Sequence, residues 1–239
     1  MSKTIWIPSP FFHARGNSPL DMIVIHHIGS KNGKLYGVNG TVTWFTDEEV
    51  HKNAETGKVE NKVSAHYIIP RKPFPYENDV YDLIHLVQHT DIAYHAGYSQ
   101  WIVNGVTRKY LNKYSLGIEM AGDGNLVEYT DYQYEHLIEL IRELMSGYNM
   151  SDDNIVGHED ISPDRKVDPG KLFDWKRLRK GVNPPEMFIM SEVPIVATEV
   201  PDVDEDDKVQ MGGGEDKVGK KVSLLELFLD WVLSFLKKT

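Results

Sequence analysis

Asp21-Met22-Ile23-Val24-Ile25-His26-His27-Ile28, followed by Gly29-Ser30, decides the fold. A short continuous apolar run that ends at a turn signal marks a buried central strand. This one ends in two histidines. Neighbouring side chains of a strand point to opposite faces, so at most one of His26 and His27 can face a given site. A strand-end histidine is either a hydrogen-bonded structural residue or a ligand, and the run alone leaves both open.

Outward from that strand, further short apolar segments follow. Val63–Ile69 is stopped by Pro70, Val80–Gln88 has strand composition, and Tyr114–Gly122 is a strand interrupted by Glu119. A carboxylate inside a buried strand costs several kcal/mol unless it is paired or neutralised. Glu119 is therefore either a salt-bridged structural residue or a catalytic one. Residues 1–20 are rich in proline and aromatics and read as an extended arm lying on the domain. Tyr98–Lys113 reads as an insertion.

Three helices are expected within residues 1–183. Thr130–Met145 is the clearest: Thr130 and Gln133 form a capping box, Tyr134, Leu137, Ile138, Ile141 and Leu144 recur at helical spacing, and Gly147 ends it. Thr43–Lys52 and Asp174–Lys180 are shorter. Ile155-Val156-Gly157 is a strand that delivers His158 to a loop punctuated by Pro163, Pro169 and Gly170. That loop carries His158, Lys166 and Asp168. An imidazole and a carboxylate are ordinary zinc ligands, and the lysine sets a positive charge beside them.

Composition bounds the function. The 239 residues carry a formal net charge of −10, divided as −4 over residues 1–183 and −6 over 184–239. Neither part has the basic footprint of a nucleic-acid binder. With no cysteine, a disulfide framework, a thiol nucleophile and a Cys-based zinc site are excluded. The N-terminus lacks a charged region followed by a long apolar core, so no secretory signal is expected and synthesis is placed in the cytoplasm.

The chain divides into three. Residues 1–183 are the catalytic body. Residues 184–221, with four prolines, the acidic run Asp202–Asp207 and Gly212-Gly213-Gly214, read as a disordered linker. Residues 222–239 read as an amphipathic helix with Ser223, Glu226, Asp230 and Ser234 as a polar stripe. Its apolar part covers roughly 22 Å at about 1.5 Å per residue, short of a bilayer core of about 30 Å. It is expected to lie on a membrane surface, or to dock on a partner or a second copy.

The pieces Val24–Ile28, Val63–Ile69, Ala93-Tyr94-His95-Ala96-Gly97, Leu116-Gly117-Ile118-Glu119 and Gly157–Gly170 together resemble the zinc-dependent N-acetylmuramoyl-L-alanine amidases of the second type. That family includes phage endolysins, the muropeptide-recycling amidase and peptidoglycan recognition proteins. The resemblance implies an α/β fold with a central mixed β-sheet flanked by helices. It implies one Zn2+ held by His26, His158 and Asp168, Glu119 as general acid/base and Lys166 as oxyanion stabiliser. His95, Tyr67 and Trp101 would line the substrate groove. The partner would be bacterial peptidoglycan. The implied reaction is hydrolysis of the amide between the lactyl group of N-acetylmuramic acid and L-alanine. An endolysin acting on the cell wall after release is the first expectation, because the tail looks membrane-seeking. A cytosolic amidase of soluble anhydro-muropeptides is the alternative, favoured by Ala65 before His66. A binding module without catalysis is disfavoured because every ligand candidate is present.

Overall fold

The computed structural model describes residues 1–183 except Asn104. The expected linker (184–221) and terminal helix (222–239) lie outside the described residues. No helix among the described residues is long and apolar enough to cross a membrane.

Six strands build the main sheet: β1 (Thr4–Trp6), β2 (Met22–His27), β3 (Tyr67–Ile69), β4 (Leu83–His85), β5 (Ser115–Met120) and β6 (Ile155–Gly157). Their order across the sheet is β1-β4-β3-β5-β2-β6. Only the β3–β4 pair is antiparallel, so the sheet is mixed. The helices are α1 (Val38–Thr46), α2 (Asp131–Tyr148), α3 (His158–Ile161) and α4 (Trp175–Val182).

The run around Val24 does form an interior strand, with β5 on one side and β6 on the other. Alternation sorts its side chains. Ile23 and Ile25, with Leu116, Ile118 and Met120 of β5, pack under Leu137, Leu140, Ile141 and Leu144 of α2. Met22 and Val24 join a separate cluster with Val156 and Leu111. His26 follows Met22 and Val24 onto that second face.

Helix α2 starts as its sequence signals. The Thr130 side chain accepts the Gln133 N–H, and the Gln133 side chain returns to the Thr130 N–H. It runs one residue past Gly147 and ends at Asn149, which adopts the left-handed conformation. Asp174 caps α4 by accepting the Arg177 N–H.

Four expectations shift. The helix expected over Thr43–Lys52 is Val38–Thr46, followed by a single 3-10 turn at Glu49–His51. Asp47 breaks the two apart: its backbone is extended and its Oδ1 accepts the Glu49 N–H. A short polar side chain competes here with helix continuation. The strand expected over Val80–Gln88 divides. Asp79–Tyr81 forms a hairpin with Phe74–Tyr76, and only Leu83–His85 enters the sheet. The N-terminal arm supplies β1, parallel to β4, and a second pairing of Phe12–Ala14 with Asp91–Ala93. The insertion is a hairpin of Gln100–Val103 and Val106–Lys109.

Candidate metal centre

The site forms where β2, β5 and β6 end. Parallel strands deliver ligand-binding groups at their C-terminal edge. Register sets Glu119 of β5 directly beside His26 of β2, so both side chains leave the same face. Gly157 of β6 pairs with Ile25, and His158 opens α3 one residue later. Asp160 holds this corner by accepting the Gly157 N–H at 2.7 Å.

The loop beyond α3 returns to the same point. The Glu159 N–H donates to the Asp168 carbonyl at 2.8 Å. Arg165 donates to the carbonyls of Ala96 and Tyr98. Tyr129 donates its hydroxyl to the Pro169 carbonyl at 2.7 Å. The turn at Gly124 packs so close that a Cβ there would lie 2.0 Å from the Pro169 oxygen, so only glycine fits. His27, on the opposite face from His26, accepts the Gly124 N–H on Nδ1 and so holds that turn.

His26 Nδ1, His158 Nδ1 and Asp168 Oδ2 form a triangle with sides of 2.9, 3.0 and 3.0 Å. All three residues are buried. Hydrogen bonds explain at most two sides, because each imidazole can donate to the carboxylate but then turns its proton toward the other. A single cation explains all three. Zinc at its usual 2.0–2.2 Å from N and O ligands sets tetrahedral donors roughly 3.3 Å apart, close to the observed sides. The distal nitrogen of His158 faces the Ala96 carbonyl at 3.3 Å, which suits an Nε2–H and leaves Nδ1 free to ligate. The donor set therefore fits Zn2+, with His26, His158 and Asp168 as the residues that would hold it.

Electrostatics agree with that assignment. Burial, only partly opposed by the hydrogen bond to Asp168, lowers His26 to about 4, so it is neutral near pH 7 as ligation requires. Burial raises Asp168, but the hydrogen bonds with His158 and His26 outweigh it and hold the carboxyl well below the usual range. Glu119 behaves oppositely. Burial first, and repulsion from Asp168 second, push it up to about 8, against the pull of Lys166. Its Oε2 is buried without a hydrogen-bond partner. A buried carboxylate oxygen left unpaired is costly and points to a task beyond packing.

A cleft of about 1310 Å³ opens over these groups, with His95 and Lys166 in its wall beside Tyr36, Trp44, Tyr94 and Leu126. His26, His158, Asp168, Glu119, Lys166 and His95 are thus brought together. Two expected groove residues are not. Tyr67 is registered with Ile118, one residue off from Glu119, so it faces α2. Its hydroxyl is bonded to His89 Nε2 at 2.7 Å and it lines a separate cavity of about 550 Å³. Trp101 sits on the hairpin and packs with the Val24 cluster, outside the cleft lining. Two residues without any signal in the sequence also matter. Buried Arg15 donates to the carbonyls of His89, Asp91, Asn112, Lys113 and Ser115, and so ties the 89–91 and 112–115 stretches to its own segment. Asn112 Oδ1 accepts the N–H groups of His95 and Ala96.

Comparison with known proteins places the chain. The family model for N-acetylmuramoyl-L-alanine amidase matches residues 16–171. The 1,6-anhydro-N-acetylmuramyl-L-alanine amidase AmpD of Salmonella typhimurium is 34% identical over 177 residues, covering 72% of this chain and 87% of the relative. A crystal structure of a selenomethionine AmpD derivative superposes with a TM-score of 0.60 at 31% identity, over 77% of this chain and 96% of that one. The amidase AmiD from E. coli, in complex with the substrate anhydro-N-acetylmuramic acid-L-Ala-D-gamma-Glu-L-Lys, superposes at 0.51 with 26% identity, over 71% of this chain and 58% of that one. These relatives favour the soluble anhydro-muropeptide alternative over the endolysin expectation. With the matched segment covering five of the six sheet strands, Glu119 and the ligand triangle, the chain belongs to the N-acetylmuramoyl-L-alanine amidase family.

Proposed function

We propose that this chain is a zinc-dependent amidase acting on soluble anhydro-muropeptides, hydrolysing the bond between the lactyl carbonyl and the nitrogen of L-alanine. The observation that carries the proposal is the buried His26–His158–Asp168 triangle with the unpaired Glu119 carboxylate beside it. The relatives support the substrate class, since AmpD is named for the 1,6-anhydro substrate and AmiD is seen with an anhydro-muropeptide. Neither lends support to action at the cell wall after release. A membrane surface or second copy as partner of residues 222–239 rests on the sequence pattern alone.

Zinc, when bound, polarises the scissile carbonyl and acidifies the attacking water. The protein groups do the rest. Glu119 takes the proton of the water as its oxygen adds to the carbonyl carbon. Lys166 offers its ammonium to the oxyanion that develops on the carbonyl oxygen. Glu119 then passes the proton to the amide nitrogen as the C–N bond breaks. The products are the lactyl carboxylate and a peptide with a free L-alanine amine. The raised affinity of Glu119 for a proton fits this exchange, because a base that will also serve as an acid works best with a pKa near the working pH.

The test is digestion of purified anhydro-muropeptide and of intact sacculi, with mass analysis of the products, with and without chelator. Free stem peptide from the soluble substrate, lost with chelator and restored by Zn2+, is expected. Faster release from sacculi would favour the endolysin alternative, and activity indifferent to chelator would overturn the zinc assignment.

A further inference from the structure

His95 does more than line the cleft wall. Its Nδ1 lies 2.9 Å from His26 Nε2, the nitrogen that the ligand triangle leaves free. The rings meet edge to face, with centroids 5.1 Å apart. On its other side, His95 Nε2 lies 3.3 Å from Ser115 Oγ, and Ser115 donates its hydroxyl to the Leu111 carbonyl at 2.7 Å. Only one arrangement of protons satisfies the whole chain. Ser115 has given its proton to Leu111, so Ser115 Oγ must accept from His95 Nε2–H. A neutral His95 then has a bare Nδ1, which must accept from His26 Nε2–H. His26 is left with a bare Nδ1, directed at Asp168 and His158.

A second, independent feature holds the ring in place. Gly117 lies in the regular strand β5, so its backbone does not demand glycine. A Cβ there, however, would lie 2.5 Å from His95 Cγ and 2.7 Å from its Nδ1. The missing side chain is the space the imidazole occupies. Asn112 adds a third restraint by accepting the His95 N–H at 3.1 Å.

We propose that His95 is a positioning residue: oriented by Ser115 and seated over Gly117, it fixes the tautomer and ring plane of His26 so that Nδ1 faces the metal. The proposal rests on the zinc reading above. Partners of this kind keep a ligand imidazole oriented, and their loss lowers metal affinity about 10–100-fold.

The experiment measures Zn2+ dissociation constants by chelator competition on the full chain, with the melting temperature of the metal-free protein alongside. His95→Ala is expected to weaken zinc binding about 10–100-fold. His95→Asn, whose Oδ1 can stand where Nδ1 stood, is expected to recover most of that loss. Gly117→Ala should weaken binding in the wild type and add nothing in the His95→Ala background, because the clash needs the ring. Wild-type affinity in His95→Ala would overturn the proposal. Should that variant fail to fold, 15N NMR of the zinc-loaded wild type decides: an unprotonated His95 Nδ1 is expected, and a proton on that nitrogen overturns the assignment. Failure of the wild type to bind zinc would instead sink the metal reading itself.

Discussion

The two faces of the same strands are built on opposite terms. On one face, Ile23, Ile25, Leu116, Ile118 and Met120 meet Leu137, Leu140, Ile141 and Leu144 of α2 in a mainly apolar layer. On the other, His26, Ser115 and Glu119 emerge from the same strands, with Gly117 between them. The first face gains stability by removing apolar area from water. The second is buried almost as deeply, yet it must match each donor to an acceptor, and it leaves one oxygen of Glu119 without a match. Stability and chemistry are thus separated by one residue along the strand.

Substitutions on the two faces should therefore fail in different ways. The largest effect is expected from His158→Ala on the polar face: zinc binding and amidase activity are both lost, which metal analysis and muropeptide hydrolysis would show. Retained activity would break the assignment of that face as the metal centre. Glu119→Gln comes next. It keeps the metal but removes the proton carrier, so kcat should fall about 10²–10⁴-fold, with zinc content unchanged. On the apolar face, Leu137→Ala should cost about 2–5 kcal/mol of stability, read by denaturant unfolding, while kcat of the folded fraction stays near wild type. A large loss of kcat in that variant would show the faces to be coupled.

The smallest expected effect sharpens the comparison through pH. In the metal-free protein Glu119 titrates near 8 against an ordinary 4.5. The unfolded chain therefore releases this proton first as pH rises. The favourable contribution is complete below about 4.5 and is lost by about 8, a change on the order of a few kcal/mol. Glu119→Gln should flatten that part of the stability–pH curve, measured by denaturant unfolding at a series of pH values. An unchanged curve would show that Glu119 is not held protonated by the polar face.

Much of this was legible in the chain. The run at Met22–His27 and the capping box at Thr130 are local patterns, and each forms what its pattern demands. The stretch from His158 to Gly170, expected as an irregular loop throughout, instead opens with the single-turn helix α3, because Pro163 and Pro169 bar a helix only further along. Boundaries were less legible. The helix near Thr43 moved toward the N-terminus because Asp47 turns its own backbone out of the helix, a contest between near-equal local options. The groove assignment of Tyr67 failed for a different reason. An aromatic in a strand can serve either face, and the face is chosen by register with β5, which no local pattern encodes.

The sequence by itself determined which residue types are available for chemistry and which of them share a strand face. Alternation follows from covalent geometry and needs no partner. It already separates His26 from His27. Only the tertiary structure decided that positions 26, 119, 158 and 168 converge. Parallel pairing of β5, β2 and β6 brings distant segments to one edge, and no residue within any one segment records that neighbourhood. The same holds for His95, whose seat exists because Gly117, more than twenty residues further along the chain, lacks a side chain.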